Sequence, residues 1–179
     1  LALWLPFLAT DRVERLWRAR AGRQAGGGPA EGLQAGLKPH VIFANRNSAL
    51  RLTAVNAPAA GLGLHPGLTL ADARSRLPDL LATEADDAAD AALVEALADW
   101  CARFTPLVSL DGVDGLLLDV TGAAHLFGGE AGLLTALRCA FVRHRLAIRL
   151  AFGGTPSMAR ALARFGPEGI LDDSQEKAA

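Results

Sequence analysis

Two periodicities alternate along this chain: short apolar runs of strand length, and longer stretches with apolar residues every three or four positions. Leu1 to Leu5 is an apolar run stopped by Pro6, which predicts a buried strand. Thr10 or Asp11 is then placed to cap a helix carrying Val13, Leu16 and Trp17 on one face. From Ala21 to Leu37 the period vanishes into a Gly/Ala-rich stretch around Gly26-Gly-Gly28-Pro29, which predicts a loop. That stretch lacks the Gly-Lys-Ser/Thr ending and the following helix of a phosphate-cradling loop. Val41–Asn45 and Leu50–Asn56 read as the two strands of a hairpin around Arg46-Asn-Ser48. A Gly/Pro turn from Ala59 to Gly67 leads to a short helix through Ala71–Arg76, capped by Thr69 or Asp72 and ended by Pro78.

Glu84 to Phe104 carries acidic residues in its first turns and Leu93, Leu97, Trp100, Cys101 and Phe104 at helical spacing, with Pro106 as its stop. Leu107–Leu110 and Gly115–Val120 are strands joined by Asp111-Gly-Val-Asp-Gly115, a hairpin signal. Gly128-Gly129-Glu130 opens a helix with Leu133, Leu134, Leu137 and Phe141 on one face, ending in Arg143-His-Arg145. Ala147–Phe152 is a further strand, and after Gly153-Gly-Thr155 a last helix shows Met158, Ala159, Leu162 and Phe165 before Gly166-Pro167. Setting aside residues 21–80 as a small separate lobe, the order is strand, helix, strand, strand, helix, strand, helix. It predicts an α+β fold, a ferredoxin-like split β-α-β unit with an antiparallel sheet and helices on one face.

Composition narrows this picture only at a few points. A chain of 179 residues, 51% hydrophobic, suffices for one compact domain with an appended lobe or for two small domains. The formal net charge of -1 excludes a strongly basic nucleic-acid binder and leaves only local patches such as Arg143-His-Arg145, readable as a solvated helix end or as a DNA or partner contact. Cys101 and Cys139 lie within helical patterns and have no CxxC partner, which suits a reducing compartment. His40, His65, His125 and His144 are scattered, none at metal-ligand spacing. The apolar start to Leu8 has no basic segment before it, and the charged Asp11–Arg15 follows at once, so a cytoplasmic protein without a membrane partner is expected.

Candidate chemistry concentrates in Ser109–Gly122, where Asp111 and Asp114 sit at a strand end. Acidic residues there can hold a metal, and Asp-Gly is equally the chemistry of a tight hairpin. Asp119 alternates with leucines and is placed to face solvent. The surrounding motifs resemble those of Y-family translesion DNA polymerases. Gly63-Leu-His-Pro-Gly67-Leu68, Ala71-Asp-Ala-Arg74 and Leu77-Pro78-Asp-Leu80 are similar to that family's fingers segment. Ser109-Leu-Asp111, followed by Leu118-Asp-Val-Thr121, resembles its Ser-Ile-Asp-Glu palm motif, and Gly153-Gly-Thr-Pro-Ser-Met-Ala-Arg160 falls at its Asn-Lys segment. Leu3-Trp-Leu-Pro6, Leu8-Ala-Thr-Asp-Arg12, Ala98-Asp-Trp-Cys101, Thr105-Pro106 and His125-Leu-Phe-Gly-Gly-Glu130 resemble the family's ImuB branch.

The resemblance implies a palm from residues 1–20 and 81–179 and a fingers lobe over 21–80, with the thumb, the little-finger domain and any clamp-binding motif outside this sequence. It also implies a test, because such polymerases work through two Mg ions held by palm carboxylates. Where the family has Asp-x-Asp, this chain has Leu3-Trp-Leu-Pro-Phe7, and the Glu of the palm motif is Gly112. Asp111, with Asp114 displaced by two residues, is left as the vestige of the site. The family's Tyr and Arg before the Gly turn fall on Ala57 and Ala60, and its Lys falls on Pro156. A non-catalytic homologue without a cofactor is therefore expected, an adaptor in damage-induced mutagenic translesion synthesis. Its implied partners are primer-template DNA, the sliding clamp, an ImuA-type RecA-like protein and an error-prone C-family DNA polymerase. Arg143, Arg145 and Arg160 are the candidate DNA or partner contacts. Two alternatives stay open: an active Mg-dependent lesion-bypass polymerase recruiting Asp11, Asp114 or Asp119, and an unrelated ferredoxin-like interaction domain.

Overall fold

A computed structural model describes residues 1–23, 38–167 and 169, so most of the Gly/Ala-rich stretch expected to be a loop lies outside the described residues. The elements are β1 (Ala2–Trp4), α1 (Leu8–Arg23), β2 (His40–Arg46), β3 (Ala49–Val55), α2 (Ala57–Gly61), α3 (Leu70–Arg76) and β4 (Leu81–Glu84). They continue with α4 (Asp87–Cys101), β5 (Val108–Leu110), β6 (Gly115–Leu118), a 3₁₀ turn (Ala124–Phe127), α5 (Glu130–Arg143), β7 (Arg149–Ala151) and α6 (Pro156–Phe165). The chain forms two compact units, Leu1–Pro6 with Ala88–Ala179, and Phe7–Asp87.

The first unit is an α+β fold on a four-stranded antiparallel sheet in the order β5-β6-β1-β7. Alternation along β1 gives the sheet two distinct faces. Ala2 pairs with Leu117 and Ala151, and this face is covered by Ala159, Leu162 and Ala163 of α6. Leu3 pairs with Leu116 and Leu150, all three almost fully buried on the opposite side. Both faces of the sheet are therefore covered. Thr155 caps α6 by accepting from the Met158 N–H at 3.2 Å. Trp100 of α4 meets Phe141 of α5 edge-on at 5.7 Å between ring centroids, joining the two long helices.

The second unit holds a three-stranded sheet in the order β3-β2-β4. β2 and β3 form the expected hairpin, with Asn47 and Ser48 both left-handed at φ 52 and 60, as a two-residue turn with the twist of its strands requires. Thr69 caps α3 with a reciprocal pair, its hydroxyl accepting from the Asp72 N–H and donating to the Asp72 carboxylate. β4 pairs parallel to β2 and occupies residues expected to lead into a helix, so α4 begins at Asp87 and not at Glu84. The boundaries differ from the expected 1–20, 21–80 and 81–179 because α1 packs on β2 and β3, which puts it in the second unit. Its Glu14 is buried there, accepting from the Asn56 side-chain amide at 2.9 Å.

Candidate functional site

The β5–β6 hairpin is closed by the Asp111 N–H donating to the Gly115 carbonyl at 2.8 Å. Between them Gly112 is left-handed at φ +67, a conformation that a side-chain-bearing residue adopts only under strain. Gly115 is required for a different reason. A Cβ there would lie 2.9 Å from the Asp111 carbonyl and 3.1 Å from the Leu3 carbonyl, so only a residue without one lets β1 and the turn approach. This approach puts Trp4 opposite Gly115 and lets the Leu5 N–H donate to the Asp114 carbonyl at 2.9 Å.

Around the turn the two aspartates are met by protein cations. Arg160 ion-pairs with Asp111, its Nε 2.7 Å from one carboxylate oxygen, and the Arg164 guanidinium lies 3.7 Å from the other. Arg164 also donates to Asp114 at 2.7 Å, and the second Asp114 oxygen accepts from the Trp4 indole N–H at 2.8 Å. Arg164 lies 5.5 Å from the Trp4 ring centroid, within cation–π range. Its C-terminal end of the helix is tied down by Arg149, which donates to the carbonyls of Arg164 and Gly166. The hydrogen bond that Arg164 donates to Asp114 raises the guanidinium pKa above its ordinary range; partial burial opposes this, and the nearby charges of Asp114 and Asp111 add to it. Arg164 is thus permanently charged.

Two divalent cations require several carboxylate oxygens opening onto one space. At this turn both Asp114 oxygens are hydrogen-bonded, to Arg164 and Trp4, and both Asp111 oxygens face arginine cations, Arg160 and Arg164. The residues present do not fit a pair of metal ions. Beside the start of α6, a cleft of about 910 Å³ includes Ser109, Leu117, Asp119, Glu130, Thr155 and Pro156 in its lining. Its charged side chains are both acidic, unfavourable for a triphosphate, and Pro156 stands where the resemblance puts a lysine.

Of the expected contact residues, Arg160 joins the hairpin cluster, whereas Arg143 and Arg145 sit at the exposed end of α5. Asp119 is solvent-facing as expected, accepting from the Thr121 N–H at 3.0 Å, a bond that lowers its pKa. Asp11 belongs to α1 in the second unit. Sequence reasoning missed Arg164 and gave Trp4 only a core role. The available signal was the four-residue spacing of Arg160 and Arg164, which sets both on one face of a helix.

The sequence profile of the impB/mucB/samB family matches residues 33–164. Protein ImuB from two strains of Caulobacter vibrioides is 50% identical over 107 residues, covering 60% of this chain and 23% of that protein. The chain thus spans under a quarter of the length of these curated relatives. Among solved structures, the post-insertion binary complex of Dbh DNA polymerase superposes with a TM-score of 0.74 at 14% identity, covering 99% of this chain and 49% of the other. DinB from Sulfolobus solfataricus superposes at 0.69 and 14% identity, over 97% of this chain and 48% of the other. The fold is that of these Y-family polymerases, and the profile match over well more than half of the residues shows that this chain belongs to the impB/mucB/samB family.

Proposed function

We propose that this chain is part of a non-catalytic Y-family polymerase homologue that acts as an adaptor in damage-induced translesion synthesis. The observation that carries the reading is the pairing of Arg160 and Arg164 with Asp111 and Asp114, a cluster into which Trp4 also donates. The two aspartates then hold the hairpin's shape and are not available for nucleotide chemistry. The 50% identity to ImuB and the likeness to the post-insertion binary complex of Dbh DNA polymerase support DNA as a ligand, primer-template DNA in this reading. In this reading the sliding clamp, an ImuA-type RecA-like protein and an error-prone C-family polymerase are the proteins brought together, in the bacterial cytoplasm at the nucleoid. No described helix is long and apolar enough to cross a membrane.

Primer extension by the full-length protein tests this. With Mg or Mn and all four nucleotides, no incorporation is expected. Incorporation that disappears in Asp111→Ala would establish the active-polymerase alternative instead.

A further inference from the structure

The ends of α4 and α5 converge on Trp100, whose ring lies 5.7 Å from Phe141 and 5.9 Å from His144 between centroids. Arg103 lies over the same ring, its guanidinium carbon 4.3 Å from the centroid, while its Nε donates to the Trp100 carbonyl at 3.0 Å. Arg143, His144 and Arg145 follow on the α5 side, all exposed, next to Val142 at 65% exposure. Arg145 is left-handed at φ 55, and its N–H donates to the Val142 carbonyl at 2.9 Å, so the backbone that carries these side chains is fixed. Among the described residues, none of Arg103, Arg143 and Arg145 is ion-paired with a carboxylate. The arginines of α6 neutralise acids of their own unit, whereas these three have no carboxylate partner among the described residues and lie beside an exposed aliphatic side chain.

We propose that this surface docks an acidic segment of a partner protein, with carboxylates on Arg103, Arg143 and Arg145 and an apolar side chain on Val142. Carboxylates match the planar fork of a guanidinium, and an aliphatic side chain would remove Val142 from water. Nucleic acid fits less well. The Trp100 ring is already surrounded by Arg103, Phe104, Phe141 and His144, which leaves no open aromatic platform for a base, and a phosphodiester offers Val142 nothing apolar. The proposal rests on the adaptor reading, but its test involves neither metal nor nucleotide, so failure here leaves the question of catalysis where primer extension puts it.

The test uses fluorescence anisotropy with the full chain and three labelled probes: a short peptide alternating Asp/Glu with Leu, the same peptide with Ser for Leu, and a duplex DNA. The Leu peptide is expected to bind, the Ser peptide more weakly, and Arg143→Glu/Arg145→Glu to weaken the Leu peptide about tenfold or more at unchanged circular dichroism. Arg143→Glu alone, expected to give a smaller loss, serves if the double variant does not fold. Absence of peptide binding, equal binding by the variants, or a loss confined to the duplex would overturn the proposal.

Discussion

Each unit of this molecule contains a polar cluster built around carboxylates, and the two are solved in opposite ways. In the second unit Glu14 is buried and accepts from the neutral Asn56 amide. Asn56 is the hub: its amide donates to Glu14 and to the Lys38 carbonyl, each at 2.9 Å, and its oxygen accepts from the N–H groups of His40 and Ala59, each at 3.0 Å. His40, fully buried against Trp17, reaches Thr83 through Nε2 at 3.0 Å and lies 3.6 Å from Glu14 through Nδ1. This network fastens α1, β2, α2 and β4 to one another. In the first unit Asp111 and Asp114 are held by full positive charges, and Arg160 remains half-exposed. A buried pin needs complete hydrogen bonding because water cannot substitute for a lost partner. Asp111 is as buried as Glu14, but its partner Arg160 is half in water and Asp114 is partly exposed, so solvent can take up part of what a lost partner leaves.

The largest expected effect therefore lies in the pin. Asn56→Ala removes four hydrogen bonds and strands the Glu14 carboxylate, and should cost about 3 kcal/mol or more in urea unfolding. A cost below that of the hairpin variants would break the comparison. Next comes Arg164→Ala, expected to cost about 1–2 kcal/mol after allowance for partial solvent exposure, with a double-mutant cycle against Asp114→Ala showing positive coupling. Arg160→Ala should cost less, about 0.5–1 kcal/mol, because half of that side chain is in water.

The smallest effects concern single groups of the first unit. Burial pushes the Cys101 thiol up to about 12, so alkylation at neutral pH should modify exposed Cys139 and spare Cys101 until the unit unfolds. Asp119, whose pKa is lowered by its Thr121 hydrogen bonds, should titrate below an unstructured aspartate in a carbon-detected pH series. Its contribution to stability is then present above the unfolded value of about 3.9 and is lost as pH falls through the folded one.

The contrast also explains what the sequence revealed. Elements with a local cause were legible: Asn47 and Ser48 at a hairpin turn, Thr69 as a helix cap, and the apolar stripe of α5. β4 was not, because Leu81–Glu84 becomes a strand only through its parallel pairing with β2, and the acids around it imitate a helix start. At the site, Asp111 and Asp114 stood out by type and spacing. Trp4 looked like core because its indole partner lies 110 residues away and is set by the pairing of β1 with β6. The cations that answer the aspartates come from α6, some fifty residues on, and only tertiary packing brings them to the turn.

The proposed function requires that arginines, and not metal ions, answer the aspartates of the β5–β6 turn. Titration of the chain with Mn²⁺, followed by electron paramagnetic resonance of the free ion, addresses it directly. The account predicts no saturable site at millimolar metal. A stoichiometric Mn²⁺ site that Asp111→Ala abolishes would contradict it.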